Sequence, residues 1–395
     1  MKIALLVHDL GIGGVAQFII NLGTYLAGRG QIVTVVATEE GPWWGRLAGT
    51  GMTGVCLPIG RWESRVQHTR RVARYLTGAA FDAVLSNIHV KNRTGQRSLA
   101  FLPEQTLRCV VLHNDAASVY RLAAVNRHVW DIAVAVSPGV LQNATALFPG
   151  KQIRYIPYGI PCPGEAELTP RAAWSSPLRL LYVGRLKNAQ KGICLLPGIV
   201  RECIQQQLPV TLTIIGDGTD REALEHAIAA EGVAHLIELR GAQPTANVYQ
   251  AMQTHHVLLL PSNFEGLPLV LLEAQANGCV PIASRLPGIT DAALEEGVSG
   301  LLAPPGDATA FAREVATLAE PGRWQTFSQA AIRRARGNYS TEIMGEHYHL
   351  LLGELAADAT RLAQVRGRPD SLHSLFKWQD FIPTRLRQLR QGVRR

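Results

Sequence analysis

Short apolar runs alternate with longer amphipathic stretches as far as Pro157, stop at a stretch rich in Pro, Gly and Ser, and then resume in the same rhythm. A short run of continuous apolar residues reads as a strand buried on both faces. Such strands separated by helices form parallel sheets with right-handed crossovers. In the first half the expected strands are 2–7, 32–38, 51–58, 83–86, 107–112, 132–137 and 154–157. The stretch 15–29 is a helix with Val15, Phe18, Ile19, Leu22 and Leu26 on one face. In the second half the strands are 178–183, 210–215, 237–239, 257–260, 280–283 and 300–302. The expected class is α/β, with two Rossmann-like domains facing across a cleft. Their expected extents are 1–160 and 178–337, with a linker at 161–177. Ligands in such sheets bind beyond the C-terminal ends of the strands, so the chemistry is sought there.

Composition supports this division. A chain of 395 residues holds about two domains of ordinary size. With 47% hydrophobic and 18% charged residues it has enough apolar material for large cores. No run approaches the ~20 apolar residues of a spanning helix. The segment Met1–Asp9 turns polar too soon for a secretory leader and reads as the first strand. The six cysteines show no metal-ligand spacing and read as reduced residues, as expected of the cytoplasm. The net charge of +8 is unevenly placed, because residues 361–395 carry nine basic and two acidic side chains. The body is near neutral, which argues against nucleic acid as a partner and makes the basic character a property of the tail.

Two carboxylates in the second half carry most of the chemical signal. Glu265 and Glu273 flank a Gly266-Leu267-Pro268 turn directly after the strand 257–260. A helix is expected from about Leu267 to Asn277-Gly278, with Pro268 in its first turn, where it loses no needed hydrogen bond. Glu265 then lies at the helix mouth, and Glu273 projects from an otherwise apolar helix, where it needs a partner. The unpaired N–H groups and positive dipole end of such a helix suit a phosphate. The strand 178–183 runs into Gly184-Arg185-Leu186, with Lys191-Gly192 close behind. An Arg and a Lys beyond a strand end suit a diphosphate, the first as a fork and the second as a point charge. The strand 210–215 ends in Gly216-Asp217-Gly218, whose glycines permit close backbone approach or simply make the turn. Asp220 is placed to cap the following helix.

In the first half, Gly11-Ile12-Gly13-Gly14-Val15-Ala16 fits the dinucleotide pattern G-x-G-x-x-A, with Glu39 and Glu40 after the second strand. A nicotinamide-dependent oxidoreductase is therefore the rival reading. It is weakened by His8-Asp9-Leu10, which separates the strand from the first glycine, where the fingerprint runs almost directly into the turn. His113 closes the strand 107–112 and points to the expected ligand edge.

Taken together, Gly13-Gly14, Gly184-Arg185-Leu186 with Lys191-Gly192, Gly216-Asp217-Gly218, and Glu265 to Glu273-Ala274 resemble the retaining GT-B glycosyltransferases of family 4 type, the glycosyl transferases group 1. The resemblance covers roughly residues 1–355. It implies a nucleoside-diphosphate sugar as donor, with uridine as the expected base. The acceptor is a saccharide or lipid-linked saccharide of envelope polysaccharide or lipopolysaccharide synthesis. Arg185 and Lys191 would hold the donor diphosphate, with Gly13, Gly14 and the amides near Pro268 and Leu269. Glu273 would take the ribose hydroxyls, with Gly184, Gly216 and Gly218 near the nucleotide. Glu265 and His113 would sit at the reaction centre. Residues 338–358 would form the helix that crosses back to the first domain, leaving 359–395 as a basic tail. No cofactor and no obligatory metal are implied. Tyr158 stands where the family often has Asn, and Pro268 where Gly is frequent. A GT-B epimerase, which converts the donor without an acceptor, is the second alternative.

Two basic regions bear on the surroundings of the enzyme. Phe376, Trp378, Phe381, Ile382, Leu386 and Leu389 lie among the tail arginines, with Pro383 interrupting any long helix. Arg61, Arg65, Arg70, Arg71 and Arg74 accompany a helical 66–76. Both suit an anionic membrane surface, so a cytoplasmic, peripheral enzyme is expected.

Overall fold

The computed structural model describes residues 1–88, 92–168, 177–367 and 375–385. They divide into two compact units, Met1–Gly159 with Met344–Arg395, and Ile160–Ile343. The first unit is built on β1 (Lys2–Val7), β2 (Ile32–Ala37), β3 (Thr53–Cys56), β4 (Ala83–Ile88), β5 (Leu107–Leu112), β6 (Ile132–Ala135) and β7 (Gln152–Tyr155). The second is built on β8 (Leu178–Val183), β9 (Val210–Ile215), β10 (Ile237–Gly241), β11 (Val257–Leu260), β12 (Val280–Ser284) and β13 (Leu301–Ala303). Their sheet orders are β3-β2-β1-β4-β5-β6-β7 and β10-β9-β8-β11-β12-β13, and the pairings within each are parallel. Both are doubly wound. The chain leaves the first central strand toward one edge and returns beside it to build the other.

The central strands form because they are apolar on both faces. β4, β5 and β6 are buried along their whole length, as is β11. Edge strand β7 is mostly exposed and lies at Gln152–Tyr155, two residues before the 154–157 expected from apolar content. An edge strand needs pairing on one side only, so polar residues serve there. The helix Gly14–Gly28 buries Phe18, Ile19, Leu22 and Leu26 as its periodicity requires. It also buries Gln17 and Asn21. Gln17 donates to Asn21 Oδ1 at 2.6 Å, and Asn21 donates to the Gly159 carbonyl at 2.8 Å.

The stretch read as a linker behaves differently at its start. Ile160 is fully buried and pairs with Ser340 as an isolated bridge. Its N–H goes to the Tyr339 carbonyl at 2.8 Å and its carbonyl takes the Thr341 N–H at 3.0 Å. A backbone pair of this kind satisfies groups that an exposed linker would give to water. Residues 169–176 of that stretch lie outside the described residues.

The helix Thr341–Ala357 packs on the helix Gly14–Gly28 from residue 345 onward. Gly345 makes this approach possible, since a Cβ there would lie 2.2 Å from the Tyr25 ring. Tyr348 meets Phe18 at 5.8 Å, and Tyr25 Oη donates to Glu346 at 2.8 Å.

The described part of the basic tail belongs to the first unit and is bonded to it. Arg366 donates to both oxygens of Asp131 at 2.5 and 2.6 Å. Asp380, only 3% exposed, pairs with Arg65 at 3.0 Å and Arg97 at 3.2 Å. Arg97 also lies over the Phe376 ring, 4.7 Å from its centre. Pro383 bridges to Ser64, and the Thr384 N–H bonds to the Glu63 carbonyl at 3.2 Å. The tail thus spends its acid and several of its aromatics on the arginine-bearing helix Arg65–Gly78 and its neighbours. Leu386, Leu389 and the arginines 368, 387, 390, 394 and 395 lie outside the described residues.

Candidate functional site

In the second sheet the winding reverses between β8 and β11. The loops beyond their C-terminal ends therefore enclose the crevice where doubly wound sheets bind ligands. The loop after β8 begins at Gly184 and is stitched to the loop after β9. The Gly184 N–H bonds to the Ile215 carbonyl, and the Leu186 N–H to the Asp217 carbonyl, both at 3.0 Å. Gly216 (φ +145°) and Gly218 make this stitching possible. A Cβ on Gly216 would lie 1.8 Å from the Gly184 carbonyl oxygen, and one on Gly218 would lie 2.4 Å from that of Leu186. Both glycines thus admit the neighbouring loop's backbone. Asp220 stands at the N-cap position of the helix Arg221–Ala230 but does not cap it. Its carboxylate instead accepts the Asn188 N–H at 2.7 Å and the Thr219 hydroxyl at 2.8 Å, tying the same loop down.

The short helix Asn188–Lys191 ends in Gly192, whose left-handed conformation (φ +60°) and lack of a side chain let it press on Pro261. A Cβ there would lie 2.1 Å from the Pro261 carbonyl oxygen. The Asn263 N–H reaches back to the Gln190 carbonyl at 2.8 Å. Held in this way, Lys191 Nζ lies 2.6 Å from Glu265 Oε1. The same oxygen accepts the hydroxyl of the fully buried Ser262 at 2.7 Å. The pair is well shielded, at 13% and 6% side-chain exposure. Tyr182 lies beneath, fully buried, with its hydroxyl on the Arg185 carbonyl at 3.1 Å. Burial pushes its phenol far above the ordinary value. The Glu265 charge raises it further, and the exposed Arg185 opposes both.

The helix after this loop runs Leu269–Ala276, with Pro268 as its N-cap in extended conformation. It therefore starts two residues later than expected, and Pro268 precedes the first turn. The extended backbone of Pro268 is compatible with a cap but not with helix. The helix ends as foreseen at Asn277-Gly278. The Gly278 N–H bonds to Gln275 at 3.0 Å and the Cys279 N–H to Ala274 at 2.9 Å, a Schellman closure around a left-handed Gly278. Glu273, one turn along this helix, is half-buried and accepts the Tyr249 hydroxyl at 3.2 Å. Leu269, Leu271, Leu272 and Ala274 are buried around it.

In the first unit, residues 8–13 separate β1 from the helix Gly14–Gly28. Gly13 is that helix's N-cap, exposed and at φ +149°, which favours glycine. The strand does not run straight into the glycines, as a dinucleotide fingerprint requires. His113, just past β5, is 6% exposed. Its Nδ1 lies 2.7 Å from Tyr158 Oη and its Nε2 2.9 Å from Asn87 Oδ1. Phe18 packs edge-on against it at 5.1 Å. The Tyr that departs from the family pattern is thus a direct partner of this histidine.

The structure brings Lys191, Glu265, Arg185, Gly184, Gly216 and Gly218 together in the second unit, with Pro268, Leu269 and Glu273 on the adjoining helix. Gly13, Gly14 and His113 belong to the first unit. Sequence reasoning missed Ser262 and Tyr249 as partners of the two glutamates, and Asn87 and Tyr158 as partners of His113. Ser262 stands three residues before Glu265 in a loop, which is a local signal. Tyr249 stands on a separate helix, Thr245–Thr254, and gave none.

These two doubly wound sheets define the GT-B class. The structure is similar to that of HepE of Anabaena in complex with UDP and glucose, with a TM-score of 0.76 at 18% identity, covering 90% of this chain and 100% of that one. It is similar to sucrose-phosphate synthase from Thermosynechococcus elongatus, with a TM-score of 0.74 at 19% identity over 90% and 99% of the two chains. Residues 177–321, all within the second unit, match the family model Glycosyl transferases group 1. The chain is 32% identical over 221 residues to the amylovoran biosynthesis glycosyltransferase AmsK of Erwinia amylovora, over 54% of this chain and 52% of that protein. It is 32% identical over 180 residues to lipopolysaccharide 1,6-galactosyltransferase of Salmonella typhimurium, over 45% and 49%. The chain spans about half the length of these two curated relatives. These matches do not favour the oxidoreductase or the epimerase.

Proposed function

We propose that this protein is a retaining glycosyltransferase of family 4 type that transfers a sugar from a UDP-sugar to a saccharide or lipid-linked acceptor in envelope polysaccharide or lipopolysaccharide synthesis. The observation that carries this reading is the Lys191–Glu265–Ser262 cluster at the β8/β11 reversal, beside the N-terminus of the helix Leu269–Ala276. The relatives and the UDP-bound neighbour give the reading its donor and acceptor classes.

When the sugar leaves its nucleoside diphosphate, negative charge grows on the leaving phosphate and positive charge on the sugar. Arg185, Lys191 and the helix N–H groups near Pro268 and Leu269 stabilise the first, as groups fixed in place before the reaction. Before donor arrives, Glu265 and Ser262 hold Lys191 in position. Glu265 then lies at the sugar, and Glu273, oriented by Tyr249, takes the ribose hydroxyls. His113, Gly13 and Gly14 contribute from the first unit, His113 toward the transferred sugar. The acceptor attacks from the face that the diphosphate leaves, and the diphosphate takes the acceptor's proton. No protein nucleophile and no obligatory metal are required by this scheme. The enzyme works at the inner face of the cytoplasmic membrane. Among the described residues no helix is long and apolar enough to cross a membrane.

A thermal-shift and nucleotide-release screen against UDP-, GDP-, ADP- and TDP-sugars, with NAD and NADP as controls, tests this reading. Stabilisation by one UDP-sugar, with slow release of UDP in EDTA, is expected. Stabilisation by NAD or NADP alone would sink it. Flotation with anionic liposomes, compared between the full chain and a chain ending at Thr360, tests the membrane term separately. Equal flotation removes the tail's role.

A further inference from the structure

β1 and β2 run in register from Lys2 opposite Ile32 to Val7 opposite Ala37, so His8-Asp9 and Thr38-Glu39 leave the sheet side by side. The His8 carbonyl accepts the Thr38 N–H at 3.0 Å and the Glu39 N–H at 2.8 Å. The two segments are therefore pinned at the point where their side chains diverge. Thr38 Oγ1 lies 2.8 Å from His8 Nδ1 and holds the ring from behind. The other ring nitrogen, Nε2, faces Asp9 Oδ2 and Glu39 Oε2, each at 3.7 Å. That separation is too long for a hydrogen bond to either. One ligand atom from each of the three residues lies within 4.8 Å of the others. Asp9 is itself held, because its Oδ1 accepts the Gly11 N–H at 2.9 Å and leaves Oδ2 turned to the histidine.

We propose that His8, Asp9 and Glu39 form a site for a divalent first-row transition ion of the zinc or manganese class. Tetrahedral coordination with bonds of about 2.1 Å sets neighbouring ligand atoms about 3.4 Å apart. The two 3.7 Å separations need to close by a few tenths of an ångström to reach it, and the Asp9 and Glu39 oxygens, within 4.8 Å of each other, by at most about 1.4 Å. An imidazole nitrogen with two carboxylate oxygens selects such an ion over magnesium or calcium, which prefer all-oxygen sites. The contacts from Thr38 and Gly11 orient the ligands from outside the coordination sphere, the arrangement that tunes protein metal sites. The remaining coordination positions are open to water or to an oxygen of a bound molecule. This site is independent of the transferase reading, whose scheme routes no step through a metal.

Calorimetric titration of the EDTA-stripped full chain with Zn²⁺ alone and with Mn²⁺ alone tests the proposal, with Mg²⁺ as control. Saturable uptake of one equivalent is expected, together with a rise in the thermal midpoint that the ion produces by binding the folded state. His8→Gln should abolish uptake. Glu39→Gln should weaken it at least tenfold, and it changes a side chain that is 66% exposed, so its fold is safe. Absence of saturable binding, tighter binding of Mg²⁺ than of either transition ion, or unchanged uptake in either variant would overturn the site. Unchanged uptake in both would place the ion on other side chains. A failed donor screen with intact Zn²⁺ uptake would remove the transferase reading and leave this one standing.

Discussion

The second unit keeps a charged pair where two adjacent strands end, whereas the first keeps a hydrogen-bonded histidine network beyond the end of its own β5. Both are doubly wound parallel sheets, so the architecture does not account for the difference. Lys191 and Glu265 are shielded but matched, and a shielded ion pair is poor value as a source of stability, since apolar residues of similar volume often do as well. His113 has both ring nitrogens occupied by Tyr158 and Asn87, so its immediate surroundings read as a satisfied network. Under the proposed function, the charge chemistry of transfer falls to the second unit and His113 acts from a fixed position in the first.

The largest expected effect comes from breaking the charged pair. Lys191→Met should lower kcat by about 10²–10³-fold, the range seen when a fixed donor to a developing anion is removed. It also leaves the Glu265 carboxylate with Ser262 alone, which should cost about 2 kcal/mol in urea unfolding. Combining it with Glu265→Gln should restore the stability and leave the activity lost. A double variant that regains turnover along with stability would assign the pair to the fold.

Next in size is the ribose contact. Glu273→Ala should raise the KM for the donor at least tenfold, since a charge-assisted hydrogen bond contributes about 1.5–3 kcal/mol. The side chain is half-buried and accepts the Tyr249 hydroxyl at 3.2 Å, so the unfolding midpoint is measured beside KM to separate a lost fold from a lost contact. Tyr249→Phe should shift KM in the same direction by a few-fold. An unchanged KM in Glu273→Ala would remove it from the nucleotide site.

The histidine network should lose more stability than turnover. His113→Ala strips partners from Tyr158 and Asn87 and should cost about 2–3 kcal/mol of stability, and Tyr158→Phe about 1 kcal/mol. If His113→Ala lowers kcat by more than Lys191→Met does, the contrast between the units collapses and the histidine stands at the centre of the reaction.

Much of this was legible in the sequence, and the parts that were not share a cause. Strands such as β5 and β11 are apolar because both faces are buried, and they end in Gly or a polar turn that marks the ligand edge. β7 was misplaced by two residues because its edge position relaxes that pattern. Glu265, Glu273, Arg185 and Lys191 stood out as polar residues at strand ends or on an apolar helix. What each one touches could not be read. Tyr249 reaches Glu273 from another helix, and Gly216 is needed because of the Gly184 carbonyl, a close approach that exists only once two strands lie side by side. The tail shows the limit most clearly, because its charge count gave no sign that Asp380 and Arg366 would pair with the first unit.

That acid supplies the smallest expected effect. Burial pushes the Asp380 carboxyl up, but the Arg65 hydrogen bond, the Arg97 charge and the Lys377 N–H together outweigh it and hold the group below the usual carboxylate range. A carboxyl with a lowered folded value takes up its proton first in the unfolded state as pH falls. Its contribution is therefore complete above the ordinary value near ~3.9 and is lost as pH falls through the folded value. Hydrogen-exchange protection of residues 375–385, measured against the intrinsic rate at each pH, should be high at neutral pH and fall below about pH 3.9. Other carboxylates titrate in the same window, Glu63 among them, so the acid response alone does not single out Asp380. Asp380→Asn does so, because it removes the charge at every pH. It should make the segment exchange fast at neutral pH at a global cost of about 1 kcal/mol, with donor KM unchanged. If the segment stays protected in Asp380→Asn, the tail is held by Phe376 and Leu375 against the core, and the ion pairs only decorate a hydrophobic attachment.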